Sequence, residues 1–448
     1  MPASMRILYV VHQFYPKYVS GTEQYVLTLA RAARRRGDDV RVFAVDPDFR
    51  ERNPPEDLKT FDYEGVPVTL YRFDKAAIKN HVLTEYRNPP VGAPFRALLD
   101  QLRPELIHFF HLLWVGVDRM EDARARRIPY VVHLMDFWYL CANFLLLRPD
   151  GRLCDGPYDQ GLSCFDCVHQ GIAQWAREPW ARDAHARMLG SGEAPVHETS
   201  GQAAGYAMVR RQDILRDALK SADCVIAPSR TVAEVLARAG TESPRTVHRP
   251  YSIDWDALKD LKSPPASPIT MGFMGTFAPH KGVDVLLRAF RQVRGDVRLN
   301  LHGRFGDYPE FDDLLKQIAA DDRRIEFKGA FPRSALSRVL SDLHVLVVPS
   351  LWRENTPFVC LEARAAGLLL IVSDLDGMKE AVPTGRGRSF RAGDPDDLAK
   401  VMGEVIADLR ARGGARLPAD TTIPTTEQQY EDFRLLYASL IRSDLTSP

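Results

Sequence analysis

The chain lacks net charge, long apolar runs and repeated sequence, and each absence removes a class of function. Lysine plus arginine and aspartate plus glutamate both number 59 in 448 residues, so the formal net charge is zero. Nothing in the chain as a whole therefore draws it to nucleic acid or to anionic lipid. No apolar run approaches the ~20 residues of a membrane-spanning helix, and the early run at 7–11 is too short for a signal-peptide core. The expectation is a cytoplasmic protein without a nucleic-acid partner and with at most a peripheral relation to membrane. Solenoid-length repeats and low-complexity tracts are also missing, which excludes an array architecture.

What is present is apolar material for real cores, 45% of the residues, arranged as a β–α alternation. Residues 7–11 are β-rich, and 22–36 place Tyr25, Val26, Leu29, Ala30 and Ala33 on one helical face. Gly37 stops that helix, and a strand at 40–45 completes a βαβ unit. Strands at 66–72, 106–110, 130–133 and 224–227 alternate with helices near 95–102, 117–126, 206–220 and 231–239. A second alternating series has strands at 269–274, 297–302, 325–328, 345–348 and 368–373. Between the two, 261–268 is rich in proline, serine and lysine and reads as a linker. The predicted fold class is α/β, with domains at 1–260 and 269–426 and a closing helical segment at 427–448. Ligands of doubly wound sheets bind beyond the carboxyl ends of strands, so the chemistry belongs in those loops.

The stretch 345–366 anchors the reading. Four β-branched or leucine residues form a strand suited to burial on both faces, Pro349 and Ser350 end it, and Pro357 fits the first turn of a helix running through Phe358, Leu361, Glu362 and Ala365. A helix amino end there offers free N–H groups to phosphate. Glu354 lies just before the helix and Glu362 eight residues on. One carboxylate could accept from hydroxyls held at the helix start, the other from a ribose diol; the plain alternative is a dipole-complementing acid and a solvent-facing one. A similar strand-to-helix turn, GTFAPHKG at 275–282, places Lys281 where it can neutralise a diphosphate. In the first half Ser20 and Gly21 open a helix and allow close approach of a ligand, while His111, His133 and Asp136 fall at or past strand ends.

The string PSLWRENTPFVCLEA resembles the E-x7-E segment of the family-4 retaining glycosyltransferases. SGTE resembles that family's Gly-Gly-x-Glu loop with Ser20 for the first glycine, HLMDFWYLC resembles its His-Asp segment, and the turn at Lys281 resembles its donor-phosphate lysine. The resemblance implies a GT-B fold, two Rossmann-like domains facing a cleft that closes on the substrates. It implies sugar transfer from a nucleoside diphosphate donor to a hydroxyl of a saccharide, lipid-linked or natural-product acceptor. It carries catalytic roles onto Glu354, Lys281, Asp136 and His133. Donor contacts fall on Ser20, Gly21, Gly275, Thr276, Lys281, Arg304, Glu354, Asn355, Thr356, Phe358, Val359 and Glu362. No catalytic divalent metal is implied, since in the family's same-face mechanism a leaving phosphate oxygen takes the acceptor proton. Two positions depart from the pattern: Met135 stands where the family has histidine, and Thr276 where it often has arginine. Either His111 or His133 supplies the missing imidazole or the enzyme works without one, and Arg304 can replace the missing charge.

Cysteine is scarce, yet four of the six fall in the order Cys141-x12-Cys154-x9-Cys164-x2-Cys167. In a reducing compartment the closing C-x2-C suits structural zinc, with free thiols or an iron–sulfur cluster as the other readings. The insertion, about 141–205, continues into a segment carrying Trp175, Trp180, His185 and His197 that reads as a helical excursion shaping acceptor access. Two other functions stay open at this point: a nucleotide-sugar epimerase of the same fold, and a non-catalytic sugar-nucleotide-binding or zinc scaffold, motivated by Met135 and Thr276.

Overall fold

The computed structural model describes residues 4–47, 57–75, 78–170 and 201–445. Most of the expected helical excursion, including Trp175, Trp180, His185 and His197, lies outside them. The chain divides into two compact units: Met1–Pro149 with Cys154–Pro250 and Thr426–Pro448, and Tyr251–Thr425 with Asp150–Leu153.

The first unit carries strands β1 (Arg6–Val10), β2 (Asp39–Asp46), β3 (Asp57–Tyr63), β4 (Val66–Arg72), β5 (Leu106–Phe109), β6 (Tyr130–His133), β7 (Cys224–Ala227) and β8 (Thr246–His248). Its helices are α1 (Gly21–Arg35), α2 (His81–Thr84), α3 (Pro89–Leu102), α4 (Asp118–Ala125), α5 (Gly201–Lys220) and α6 (Arg230–Arg238). The sheet order is β3-β4-β2-β1-β5-β6-β7-β8, parallel except for the β3–β4 hairpin. Strands β5, β6 and β7 are buried along their whole length, which is why they show no apolar–polar alternation and carry His108 and His133 inside the core. Each Val, Leu or Ile removed from water there contributes roughly 1.5–3 kcal/mol. The order of strand addition reverses between the parallel neighbours β1 and β5, so the loops after Val10 and Phe109 flank the crevice of this sheet.

The second unit has strands β9 (Ile269–Met274), β10 (Val297–His302), β11 (Ile325–Phe327), β12 (Val345–Val348), β13 (Leu369–Ser373) and β14 (Gly387–Phe390). Helices α7 (Val283–Phe290), α8 (Pro309–Ala319), α9 (Leu336–Ser341), α10 (Phe358–Ala365), α11 (Asp376–Glu380) and α12 (Pro395–Ala411) cover it. The order β11-β10-β9-β12-β13-β14 is the doubly wound 3-2-1-4-5-6 pattern, all parallel. Its core joins Phe273, Leu286, Phe290, Leu299, Val345, Ile371, Met402 and Ile406. The switch point lies between β9 and β12, whose following turns hold Lys281 and Glu354.

The units part at Pro250 and Tyr251, about ten residues before the predicted linker. Local packing explains the difference: the Tyr251 ring lies 4.7 Å from that of Phe358, and Trp255 Nε1 donates to Ile423 O at 2.9 Å. The last helix, α13 (Thr426–Leu445), packs on α1 within the first unit. Asp38 holds it, accepting from Met5 N at 2.8 Å, Tyr430 Oη at 2.6 Å and Arg434 Nε at 2.9 Å. The arginines around α1 are matched by carboxylates: Arg31 with Glu64, Arg34 and Arg41 with Asp39, Arg35 with Glu427, Arg36 with Glu431. Among the described residues no helix is long and apolar enough to cross a membrane.

Candidate active site

At the switch point of the second unit, two turns are pressed together. After β9 the chain runs through the exposed Gly275 and Thr276 into a 3-10 turn at Pro279–Lys281 and then Gly282. Gly282 has φ +67°, and a β-carbon there would stand 2.0 Å from Pro349 O, so only glycine lets this turn touch the one after β12. Leu351 N donates to His280 O at 2.8 Å and locks the two turns.

The contact brings Lys281 to Glu354. Glu354 Oε1 accepts three hydrogen bonds, from Lys281 Nζ at 2.7 Å, Ser350 Oγ at 2.8 Å and Trp352 Nε1 at 2.8 Å. Its side chain is 8% exposed and that of Lys281 26%, with the ammonium 5.1 Å from the centre of the Trp352 ring. His280 meets the Trp352 edge, and burial, then the Lys281 charge, hold its imidazole down at about 4. Lys281 therefore carries the positive charge of this turn. Asn355 Nδ2 reaches Tyr251 Oη at 3.3 Å, while Thr356, Phe358 and Val359 are half-buried around the amino end of α10. Glu362 is buried in the second turn of α10 and accepts from Arg333 Nη1, so it is not solvent-facing. Arg304 does not join this network: it is exposed and paired with Asp307 at 2.9 Å.

In the first unit a cavity of about 420 Å³ opens at the carboxyl ends of β1 and β5, lined by His12, Ser20, Thr22, His111, Trp114 and Asp136 among others. His111 Nε2 lies 3.1 Å from Asp136 Oδ2, and Leu113 N donates to His111 Nδ1. The Nδ1 atom is therefore the unprotonated one, and Nε2–H donates to the carboxylate. Trp138 N donates to Asp136 Oδ1 at 2.8 Å. His12 stacks obliquely 4.3 Å from His111, with Nε2 3.7 Å from the fully buried Glu23, whose carboxylate accepts from Ser20 N. Ser20 and Gly21 are exposed at this opening.

His133 does not reach the cavity. Its ring is fully buried, parallel to His108 and Phe110 and edge-on to Tyr25, and burial alone lowers its pKa to about 3. It is a neutral core residue, and the imidazole at the cavity beside Asp136 is that of His111. Sequence reading also passed over His12, Glu23, Trp352, Ser350 and Arg333. Ser20-x-x-Glu23 carries the signature of a helix capping box, and Ser350 and Trp352 lay within the anchoring string.

The zinc expectation finds no support. Among the described residues no group of three or more His, Cys, Asp or Glu side chains is arranged to hold a metal ion. The Cys141 thiol donates to Asn143 Oδ1 and the Cys154 thiol to Gly156 O. Burial, with the neighbouring thiols, pushes Cys164 up to about 12 and Cys167 up to about 11. Leu162 and Phe165 of the segment form a small core with Val82 and with Ala204, Ala207 and Met208 of α5.

The two doubly wound α/β units give the chain the GT-B fold of glycosyltransferases. Sucrose-phosphate synthase from Thermosynechococcus elongatus superposes with TM-score 0.66 at 19% identity, over 98% of this chain and 99% of that one. HepE of Anabaena, determined with UDP and glucose, gives 0.64 at 15% identity, over 97% and 100%. The chain belongs to glycosyltransferase family 4, whose sequence profile matches residues 19–255, while the profile of the group 1 glycosyl transferases matches 268–408. Among curated relatives, the 2-deoxystreptamine N-acetyl-D-glucosaminyltransferase of Streptomyces fradiae is 24% identical over 89% of this chain and 90% of its own length. The phosphatidyl-myo-inositol mannosyltransferase of Mycolicibacterium smegmatis is 28% identical over 38% of this chain, and the match spans 45% of that relative's length. These matches do not favour the epimerase or scaffold readings.

Proposed function

We propose that the chain moves a sugar from a nucleoside diphosphate donor to an acceptor hydroxyl with retention at the anomeric carbon. The observation that carries this reading is the convergence of Lys281 and Glu354 at the β9–β12 switch point. Lys281 would face the departing diphosphate, joined by the free N–H groups at the start of α10 near Phe358 and Val359. With Oε1 of Glu354 saturated by three donors, Oε2 is left to accept from hydroxyls of the donor sugar. As the C1–O bond to phosphate breaks and the acceptor oxygen bonds to C1, the acceptor proton passes to the leaving phosphate oxygen on the same face. No protein base is required for that step.

The first unit's cavity supplies the acceptor side of the proposal. His111 spends its N–H on Asp136 and its Nδ1 lone pair on Leu113 N, so the cavity offers the remaining carboxylate lone pairs of Asp136, which suit a ligand rich in hydroxyl or amino donors. The Streptomyces fradiae relative is named for 2-deoxystreptamine, an acceptor of that kind. UDP-, GDP- and ADP-sugars should be incubated with aminocyclitol, inositol and saccharide acceptors, with products read by mass spectrometry and the anomer by NMR. A glycoside with the donor's anomeric configuration supports the proposal. Inversion, or an altered donor sugar formed without acceptor, overturns it.

A further inference from the structure

The second unit places an ion pair on the helix of the candidate site, in α10, that the reaction as proposed leaves unused. Glu362 has a side chain only 4% exposed, and a carboxylate taken that far from water is costly unless a partner compensates it. The partner is Arg333, which opens the 3-10 turn Arg333–Ala335 beyond β11 and donates through Nη1 to Glu362 Oε1. Arg333 is 44% exposed and, among the described residues, makes no other hydrogen bond or ion pair. No hydrogen bond among them falls on Glu362 Oε2.

We infer that Arg333 is a positioning residue for the donor: it clamps Oε1 of the buried Glu362 carboxylate and leaves Oε2 to accept the two hydroxyls of a nucleoside diphosphate's ribose. The inference rests on the donor-site reading given above. It adds a residue whose work is done through another, and it predicts a dependence on pH that a direct contact lacks. Burial raises the Glu362 carboxyl above its ordinary value while the Arg333 charge pulls it back. Without the guanidinium the carboxyl takes up a proton at higher pH and loses acceptor capacity. Other charged groups around it are committed elsewhere. Cys360 on the same helix is held protonated by burial, Arg364 is bonded to Asp420, and Lys281 and Glu354 in the adjoining turns satisfy one another.

The test is titration calorimetry of UDP, GDP and ADP between pH 5.5 and 8.5 on wild type, Arg333→Met and Arg333→Lys, after melting curves show each variant folded. For the nucleotide that wild type binds, its 2′,3′-dideoxy counterpart is measured in parallel. Wild-type affinity is expected to be flat from pH 6.5 upward. Arg333→Met should bind at least ten-fold more weakly at pH 6 and regain most of the loss by pH 8.5. Arg333→Lys should restore the wild-type profile, and the Met substitution should leave the dideoxy nucleotide's affinity unchanged. An equal loss at every pH, or an equal loss for ribose and dideoxy forms, overturns the inference while leaving the donor site standing. If none of the three binds to wild type, the donor-site reading falls and takes the inference with it.

Discussion

Three donors converge on one oxygen of Glu354, and that convergence decides what the side chain is free to do. Replacing the carboxylate by an amide keeps the shape, removes the charge facing Lys281, and sets an N–H₂ group against one set of donors. We expect Glu354→Gln to lower turnover by about 10²-fold or more, the scale for loss of a preorganised electrostatic group, with a stability cost of only about 1–2 kcal/mol. A steady-state assay with a melting curve checks both, and wild-type turnover would remove Glu354 from the reaction. The histidines divide in the same way. His133→Phe should keep turnover within a few-fold, because the ring is buried among aromatic side chains away from the cavity and is already neutral. His111→Phe should reduce it strongly by freeing Asp136; the reverse ranking would restore His133 as the site imidazole. The carboxylates were legible in sequence because one strand–turn–helix fixes both of them locally. The histidines were not, because β6 is buried on both faces and alternation gives no hint of which ring turns inward.

At the scale of elements, the strand-and-helix order could be read from apolar periodicity, whereas the limits of the units could not. Residues 251–260 look like the approach to a proline-rich linker, but Tyr251 and Trp255 each find partners 100 residues or more away in sequence. Contacts of that range leave no local trace. The four-cysteine segment shows the same range: its spacing suggested a metal staple, and the apolar residues that pack against it come from α5 and Val82. The final helix shows how strongly distance in sequence can be overruled. Asp38 is 3% exposed and joins Met5, Tyr430 and Arg434. Asp38→Ala would remove the carboxylate that Met5 N, Tyr430 and Arg434 share, and breaking a buried pair of this kind costs about 3–5 kcal/mol. Urea unfolding should show that loss, with early proteolysis near the junction at Thr426. A midpoint unchanged from wild type would mean that α13 is held by apolar contact alone.

For the molecule as a whole, the histidines set the response to acid. His12, His81, His108 and His133 in the first unit, and His280, His302 and His344 in the second, all have pKa values lowered chiefly by burial. An unfolded histidine takes its proton near pH 6.5, the folded ones only further down, so acid stabilises the unfolded chain first. Each group then removes up to about 1.4 kcal/mol per pH unit between 6.5 and its own folded value. For His280 that window extends down to about 4, and for His133 to about 3. Buried carboxyls act in the opposite sense: Asp118 and Glu362 are raised, so the folded state binds their protons first and gains stability as pH falls. Two such groups against seven histidines leave the histidines dominant. The paired carboxylates Asp100, Asp322, Glu326 and Asp420 are lowered and add their loss only below the ordinary carboxylate range. Melting temperature should therefore be level from pH 8 to 7 and fall continuously from 6.5 to 5, before most carboxylates titrate. Calorimetry at half-unit steps reads this directly, and His280→Gln should flatten the slope of the transition to which the second unit belongs. A melting temperature that holds level down to pH 5 would mean that these imidazoles are not shut away from water, and with them the buried centre of the first unit's sheet.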